Sequence, residues 1–218
     1  MPPKSDSVRP RKKPRQARAE ATVDAILEAA ARILSAEGLM GFNTNSVARV
    51  AGVSVGSLYQ YFPSKEAILA EMLRRKQKNV LSALEAAFTD VEKKRADQAL
   101  RDLAHAGLLH QPRTLSLAQA LDYASAVLPL HEQTHEINKS IVACVGRFLT
   151  ALDVPANAQM IAAQDITGMA RGIMLQALRG GTAVDEDALA ERVFMAVKGY
   201  LNEVRKKAGT DQPSICGT

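Results

Sequence analysis

The sequence predicts an all-α protein, and three observations carry that prediction. Ala, Leu and Met dominate an apolar set that makes up 47% of the 218 residues, while aromatics fall to 4% and Trp is absent. Such residues lose little rotamer freedom in a helix, so they favour helix over strand. Few segments gather Val, Ile, Thr and aromatics with the period-two alternation of a half-buried strand. Apolar residues instead recur at three- and four-residue intervals, in stretches closed by Pro or Gly. The expected architecture is an N-terminal three-helix domain, joined by a long helix to a C-terminal helical bundle, with about nine helices in all.

Residues 1–19 form a Pro-containing basic arm without periodicity, expected to be disordered in the free protein. Residues 1–20 hold seven Lys or Arg against two Asp or Glu, a surplus of +5 that equals the formal charge of the whole chain. From about Glu20 to Glu37, Val23, Ile26, Leu27, Ala30, Ile33 and Leu34 make a stripe with the helical period, ended at Gly38. This is the first scaffold helix.

The stretch that follows, NTNSVARVAGVSVGSLYQYF at residues 43–62, reads as a helix-turn-helix. Asn43 or Thr44 supplies an N-cap oxygen, and Val47, Val50 and Ala51 share one helical face. Gly52 takes the left-handed conformation that ends a helix, and Ser54 caps the next. In that second helix Val55, Leu58 and Phe62 fall on one face. Gly56, Ser57, Tyr59, Gln60 and Tyr61 look outward, and Pro63 stops the helix. The two tyrosines admit two readings: contact with a partner, or packing on the preceding helices with the hydroxyls in water.

AGVSVGSLYQYFPSKEAI, with TNSVARV before it, resembles the DNA-binding signature of the TetR family of transcriptional regulators, over roughly residues 21–78. The resemblance implies that Asn43, Thr44, Tyr59, Tyr61 and Lys65 touch phosphates, while Asn45, Val55, Gly56, Ser57 and Gln60 lie toward base edges. It implies double-stranded DNA as partner and a ligand-responsive repressor as function. The residue types suit those roles independently. Gln60 can both donate to and accept from adenine, Val55 can meet a thymine methyl, and Gly56 and Ser57 let the backbone approach the groove. Lys65 suits a phosphate.

Beyond Pro63, Ser64 caps a helix carrying Ile68, Leu69, Met72 and Leu73, then RRKQK, then Val80, Leu81, Leu84 and Ala87, continuous to about Phe88. Arg74, Arg75, Lys76 and Lys78 read as a solvated face rather than a second DNA site. Further helices are expected at about 91–109, 115–128, 131–152, 156–179 and 185–206, with breaks at Pro112, Pro129, Pro155 and Gly180-Gly181. The last two carry Ile161, Ile166, Met169, Ile173 and Leu175, then Leu189, Val193, Met195, Ala196 and Tyr200, with Gly168, Gly172 and Gly199 interspersed. These stripes serve either an isologous homodimer interface, which the family resemblance also implies, or the internal core. The expected domains are therefore the arm at 1–19, a helix-turn-helix domain at 20–79, an effector-binding and dimerisation domain at 80–207, and a disordered tail at 208–218.

Among scattered polar groups on the apolar helices, His105, Tyr123, Gln164 and Arg171 are candidates for contact with an unknown small-molecule effector, beside His110, Arg147 and Asp165. HEQTH at 131–135 matches the H-E-x-x-H pattern of zinc peptidases. Its extended form fails, because Asn138 stands where Gly belongs and Ile141 where His belongs. That leaves a metallopeptidase or a metal-responsive protein as the alternative function, with Asp153 or Asp165 as a distant third ligand. No phosphate loop, nucleophile elbow or Cys–His pairing stands out, so neither an enzyme nor a cofactor is expected. Cys144 and Cys216 lie far apart without metal-ligand spacing, which fits a reducing cytoplasm. No run approaches the roughly 18 to 20 apolar residues of a membrane span.

The arm admits two readings as well, a solvated terminus or a segment that neutralises phosphates or enters the minor groove. Charge favours the second, since Arg9, Arg11, Lys12, Lys13, Arg15 and Arg18 sit beside the DNA-binding motif. The slope of log affinity against log salt flattens by about 0.9 for every phosphate that a protein ceases to neutralise. Deleting residues 1–14 should therefore weaken binding to operator and random DNA alike, and reduce the salt slope by a few units per dimer. Retention of both affinity and slope in a filter-binding series would make the arm a spectator.

Overall fold

The computed structural model describes residues 14–128, 132–180 and 184–210. The basic arm up to residue 13 and the tail from residue 211 lie outside the described residues. Within them the chain forms nine α-helices, a single 3-10 turn and no strand. The all-helical expectation holds. Among the described residues no helix is long and apolar enough to cross a membrane.

The chain divides into two compact units, Met1–Leu69 and Ala70–Thr218. In the first, α1 (Pro14–Gly41) starts several residues before the expected position near Glu20. Proline favours a first helical position, where its missing N–H would have no intrahelical partner anyway. Gly38 leaves helical geometry at φ 64° and ψ −162°, a conformation that L side chains resist, and a last turn follows it. Ile26, Ala29, Ala30, Ile33 and Leu34 are buried, as the stripe requires. Against α1 pack α2 (Thr44–Ala51) and, through α2, α3 (Val55–Tyr61). Phe42, Val47, Leu58 and Phe62 complete this small core.

The second unit takes most of α4 (Lys65–Phe88), then α5 (Ala96–Leu108), α6 (Leu115–Val127), α7 (Glu132–Ala151), α8 (Ala156–Arg179) and α9 (Glu186–Thr210). Helix α5 packs on α9 and α8, and α8 also receives α7 and α6. Buried Leu and Val interleave with buried Ala99, Ala104, Ala162, Ala163 and Ala190. Small residues at facing positions let the helices approach, which is how a core with few rings fills its volume. The Phe88 and Phe148 rings meet edge to face at 5.1 Å.

One expected helix is shorter than its sequence suggests. Instead of running from Val91, the chain makes a 3-10 turn at Val91–Lys93, passes Arg95 in extended conformation and enters α5 at Ala96. Val91 is buried, whereas Glu92, Lys93 and Arg95 are exposed and Lys94 pairs with Asp102 at 2.6 Å. With one apolar residue in that run, no stripe exists to hold a helix against the core.

The two final helices divide their stripes between core and surface. Ile166, Leu189 and Val193 are buried, and Met169 and Ile173 pack against the core, while Met160, Ile161 and Met195 are exposed. The Tyr200 hydroxyl donates to Asp165 Oδ2 at 2.6 Å, tying α9 to α8. That carboxylate, aided by burial, pushes the phenol up to about 12.

Candidate nucleic-acid interface and interior cavity

The helix-turn-helix is fixed by its caps. Asn43 is extended at φ −148° and its Oδ1 accepts the Ser46 N–H at 2.9 Å, starting α2. Gly52, at φ 70° and ψ 28°, closes α2, and the next N–H, that of Val53, reaches Ala48 O at 3.0 Å. Two residues later Ser54 Oγ accepts the Ser57 N–H at 3.0 Å, so α3 begins almost as soon as α2 has ended. Leu58 and Phe62 anchor α3, at 0% and 6% exposure. Ser64 Oγ then accepts the Ala67 N–H at 3.2 Å and opens α4.

This framework leaves the remaining positions of α3 outside the core. Tyr59 is 50% exposed and Tyr61 37%, so neither is consumed by packing. Val55, at 40%, does not join Leu58 and Phe62 as the helical stripe implies. It sits at the first position of α3, before the helix has turned its face inward. Gly56, Gln60, Asn45, Asn43 and Lys65 are also exposed. A Cβ on Gly56 would meet nothing nearer than Ser54 Oγ at 4.0 Å, so nothing inside the chain demands glycine there. Thr44 and Tyr59 bring their hydroxyls to 3.2 Å, joining the start of α2 to the exposed side of α3. The Ser57 hydroxyl is held 2.8 Å from Ser54 Oγ.

The second unit holds a partly open cavity of about 320 Å³, at the lower end of the usual range for small-molecule sites. Gln164 and Arg171 line it. His105 and Tyr123 do not: both side chains are exposed, and His105 Nδ1 stands 4.0 Å from Asp187 Oδ1. By residue type both qualify as polar groups on apolar helices, but they occupy the solvent side of α5 and α6.

The RRKQK run supplies two lining residues that its charge does not announce. Arg74 and Arg75 both bond Glu71, at 2.6 and 2.9 Å, and Lys78 is exposed, yet Lys76 and Gln77 line the cavity. The solvated face expected there is thus corrected at Lys76. A charged run signals solvent only when all its positions share a face, and consecutive helical residues do not. The position of Gln77, three residues before Val80 and four after Leu73, is the signal that marks it as inward.

For the HEQTH segment, His131 lies outside the described residues and His135 is exposed. Among the described residues no three His, Cys, Asp or Glu side chains gather as metal ligands. Of the distant candidates, Asp165 is engaged with Tyr200, and Asp153 occupies a turn at φ 56°. The metallopeptidase alternative therefore has no support among them.

Comparison with known proteins agrees with this geometry. Residues 26–72 match the family described as bacterial regulatory proteins, tetR family. The fatty acid metabolism regulator protein of Bacillus subtilis (strain 168) is 26% identical over 125 residues, spanning 57% of this chain and 64% of that protein. The HTH-type transcriptional repressor DrrR1 of Streptomyces coeruleorubidus is 44% identical over 57 residues, 26% of this chain and 21% of its own length. The chain thus spans less than two thirds of either relative. The fatty acid degradation regulator FadR from Bacillus halodurans superposes with a TM-score of 0.66 at 18% identity, covering 86% of this chain and 96% of that one, which establishes a shared fold.

The cap on α3 is directly testable. Ser54→Ala should cost about 1 kcal/mol and free the Ser57 N–H. Hydrogen exchange at the Ser57 amide should then accelerate severalfold, with exchange in α1 unchanged; an unaltered Ser57 rate would show that the cap does not hold the helix.

Proposed function

We propose that this chain, whose residues 26–72 match the tetR family of bacterial regulatory proteins, is a homodimeric DNA-binding repressor that leaves its operator when a small molecule enters the cavity of the second unit. The observation that carries this reading is α3 itself. Two buried side chains hold the helix, and Val55, Gly56, Tyr59, Gln60 and Tyr61 remain exposed. A helix so presented fits the major groove, with Asn45, Val55, Gly56, Ser57 and Gln60 toward base edges. Asn43, Thr44, Tyr59, Tyr61 and Lys65 would then take phosphates. The open space at Gly56 supports this arrangement, since a side chain there would hold the backbone away from the bases.

The exposed Met160, Ile161 and Met195 of α8 and α9 supply apolar surface for pairing with a second copy. A two-fold dimer would present its recognition helices to a palindromic operator, with half-sites about one helical turn or a multiple apart. One helix, α4, bears Lys65 at its first position and Leu73, Lys76, Gln77, Val80 and Leu84 along the cavity. Occupancy of the cavity would therefore be felt by an element that also carries a phosphate contact. An effector favouring the conformer with wrongly spaced recognition helices lowers operator affinity by its differential affinity; one that binds both conformers equally does nothing. In this role the protein is a regulator rather than a catalyst, acting on DNA in the cytoplasm.

Base and phosphate roles separate in a specificity profile. Gln60→Ala should change preference at one base pair of each half-site by about 1 to 3 kcal/mol, whereas Lys65→Ala should weaken all sequences by a common factor. Competition binding against a panel of single-base operator variants distinguishes them. Sequence-independent losses for both variants would refute the assignment.

A further inference from the structure

The charges around the cavity do not balance. Among the described residues its charged lining groups are Lys76, Arg171 and Asp122. Arg171 Nη2 lies 2.7 Å from Asp122 Oδ1, so those two neutralise each other and Lys76 is left as the surplus positive charge. Burial holds the Lys76 ammonium below the ordinary lysine value; Asp122 opposes that shift and Arg171 adds to it. A desolvated cation of this kind gains from an anion placed beside it.

An independent observation comes from the next residue. Gln77 is 9% exposed, and its Oε1 is buried without a hydrogen-bond partner among the described residues. Native interiors rarely leave such an atom unpaired, and a ligand is one recognised way of satisfying it. Leu73, Val80, Leu103, Ile141 and Val145 supply aliphatic wall, Gln111, Asn138 and Gln164 add uncharged polar groups, and no aromatic ring among the described residues lines the space. One surplus charge matches a carboxylate or sulfonate better than a phosphate monoester, which carries roughly −1.5 to −2 at neutral pH.

We propose that the cavity takes an aliphatic monoanion whose head is received by Lys76, with the Gln77 side chain turning to bring its buried Oε1 to a hydrogen-bond donor beside that head. This rests on the reading of the cavity as the effector site. Size sets a bound on the tail, since a space of about 320 Å³ suits a molecule small among pocket ligands.

Calorimetric titration of the full chain with four matched probes tests the proposal: decanoate, decanol, decylammonium and β-hydroxydecanoate. Decanoate should bind about tenfold or more tighter than decanol, a difference set by a charge-assisted hydrogen bond, and decylammonium should bind weakest. Lys76→Met should erase the preference for decanoate and Lys76→Arg should retain it. Both variants are first checked for a wild-type helical circular dichroism spectrum, and Lys76→Gln replaces Lys76→Met if the latter fails. β-Hydroxydecanoate should bind about two- to tenfold tighter than decanoate, a gain abolished in Gln77→Leu. Equal affinity for decanoate and decanol, or a preference untouched by removing the Lys76 charge, would overturn the anion site while leaving the cavity a ligand site. Absence of binding by all four probes at two temperatures, so that a near-zero enthalpy is not mistaken for it, would overturn this inference while leaving the cavity open to an effector of other chemistry.

Discussion

A seven-residue helix does not stand in water by itself, because nucleation costs more than so few hydrogen bonds return. The helix proposed to read DNA, α3, is such a helix. Its existence depends on burying Leu58 and Phe62 against the first unit, and on Ser54 satisfying one of the N–H groups that a helix start leaves open. Everything else in that unit serves the same constraint. The α1 stripe supplies the wall, the Asn43 cap and the left-handed Gly52 fix where α2 begins and ends, and Pro63 prevents α3 from extending. Because the anchors take only two side chains, the rest of the helix is free to carry chemistry for a partner.

The second unit meets a different constraint. Its core is built from Leu, Val and Ala, which pack helices closely but offer few large groups to fill space. Where α4 through α9 converge, a cavity remains, and α4 turns Lys76 and Gln77 into it. A desolvated surplus cation and an unpaired buried carbonyl are unfavourable for folding alone. Their retention makes sense if the occupied state, not the empty one, is where they find partners. The same helix begins with Lys65, so the element that registers occupancy also meets DNA in the proposed assembly.

Local chemistry makes the first unit readable from sequence. Asn43, Gly52, Ser54 and Pro63 each act within a few residues of themselves, and the structure shows the first three in the capping roles their types imply. The Pro and Gly breaks that divide the second unit are legible for the same reason. What escapes the sequence depends on distant packing. Val55 matches the stripe by spacing yet is exposed, because the helix start stands clear of the core. Lys76 looks like part of a solvated run, whereas Gln77 stands in register with Leu73 and Val80, and the arrangement of α5 to α9 around α4 is what makes Lys76 line an interior as well. His105 and Tyr123 are indistinguishable from Gln164 and Arg171 by residue type; which helix faces converge decides between them. The run after Val91 fails as a helix because charge leaves it without an apolar face.

The central claim is that two copies of α3 read a symmetric DNA sequence. Sequencing the fragments that the purified chain selects from random duplex DNA tests it most directly. The account predicts one enriched motif with two-fold symmetry, its half-sites centred about one helical turn or a multiple apart. Fragments without a common motif, or a motif occurring as a single unrepeated half-site, would contradict it.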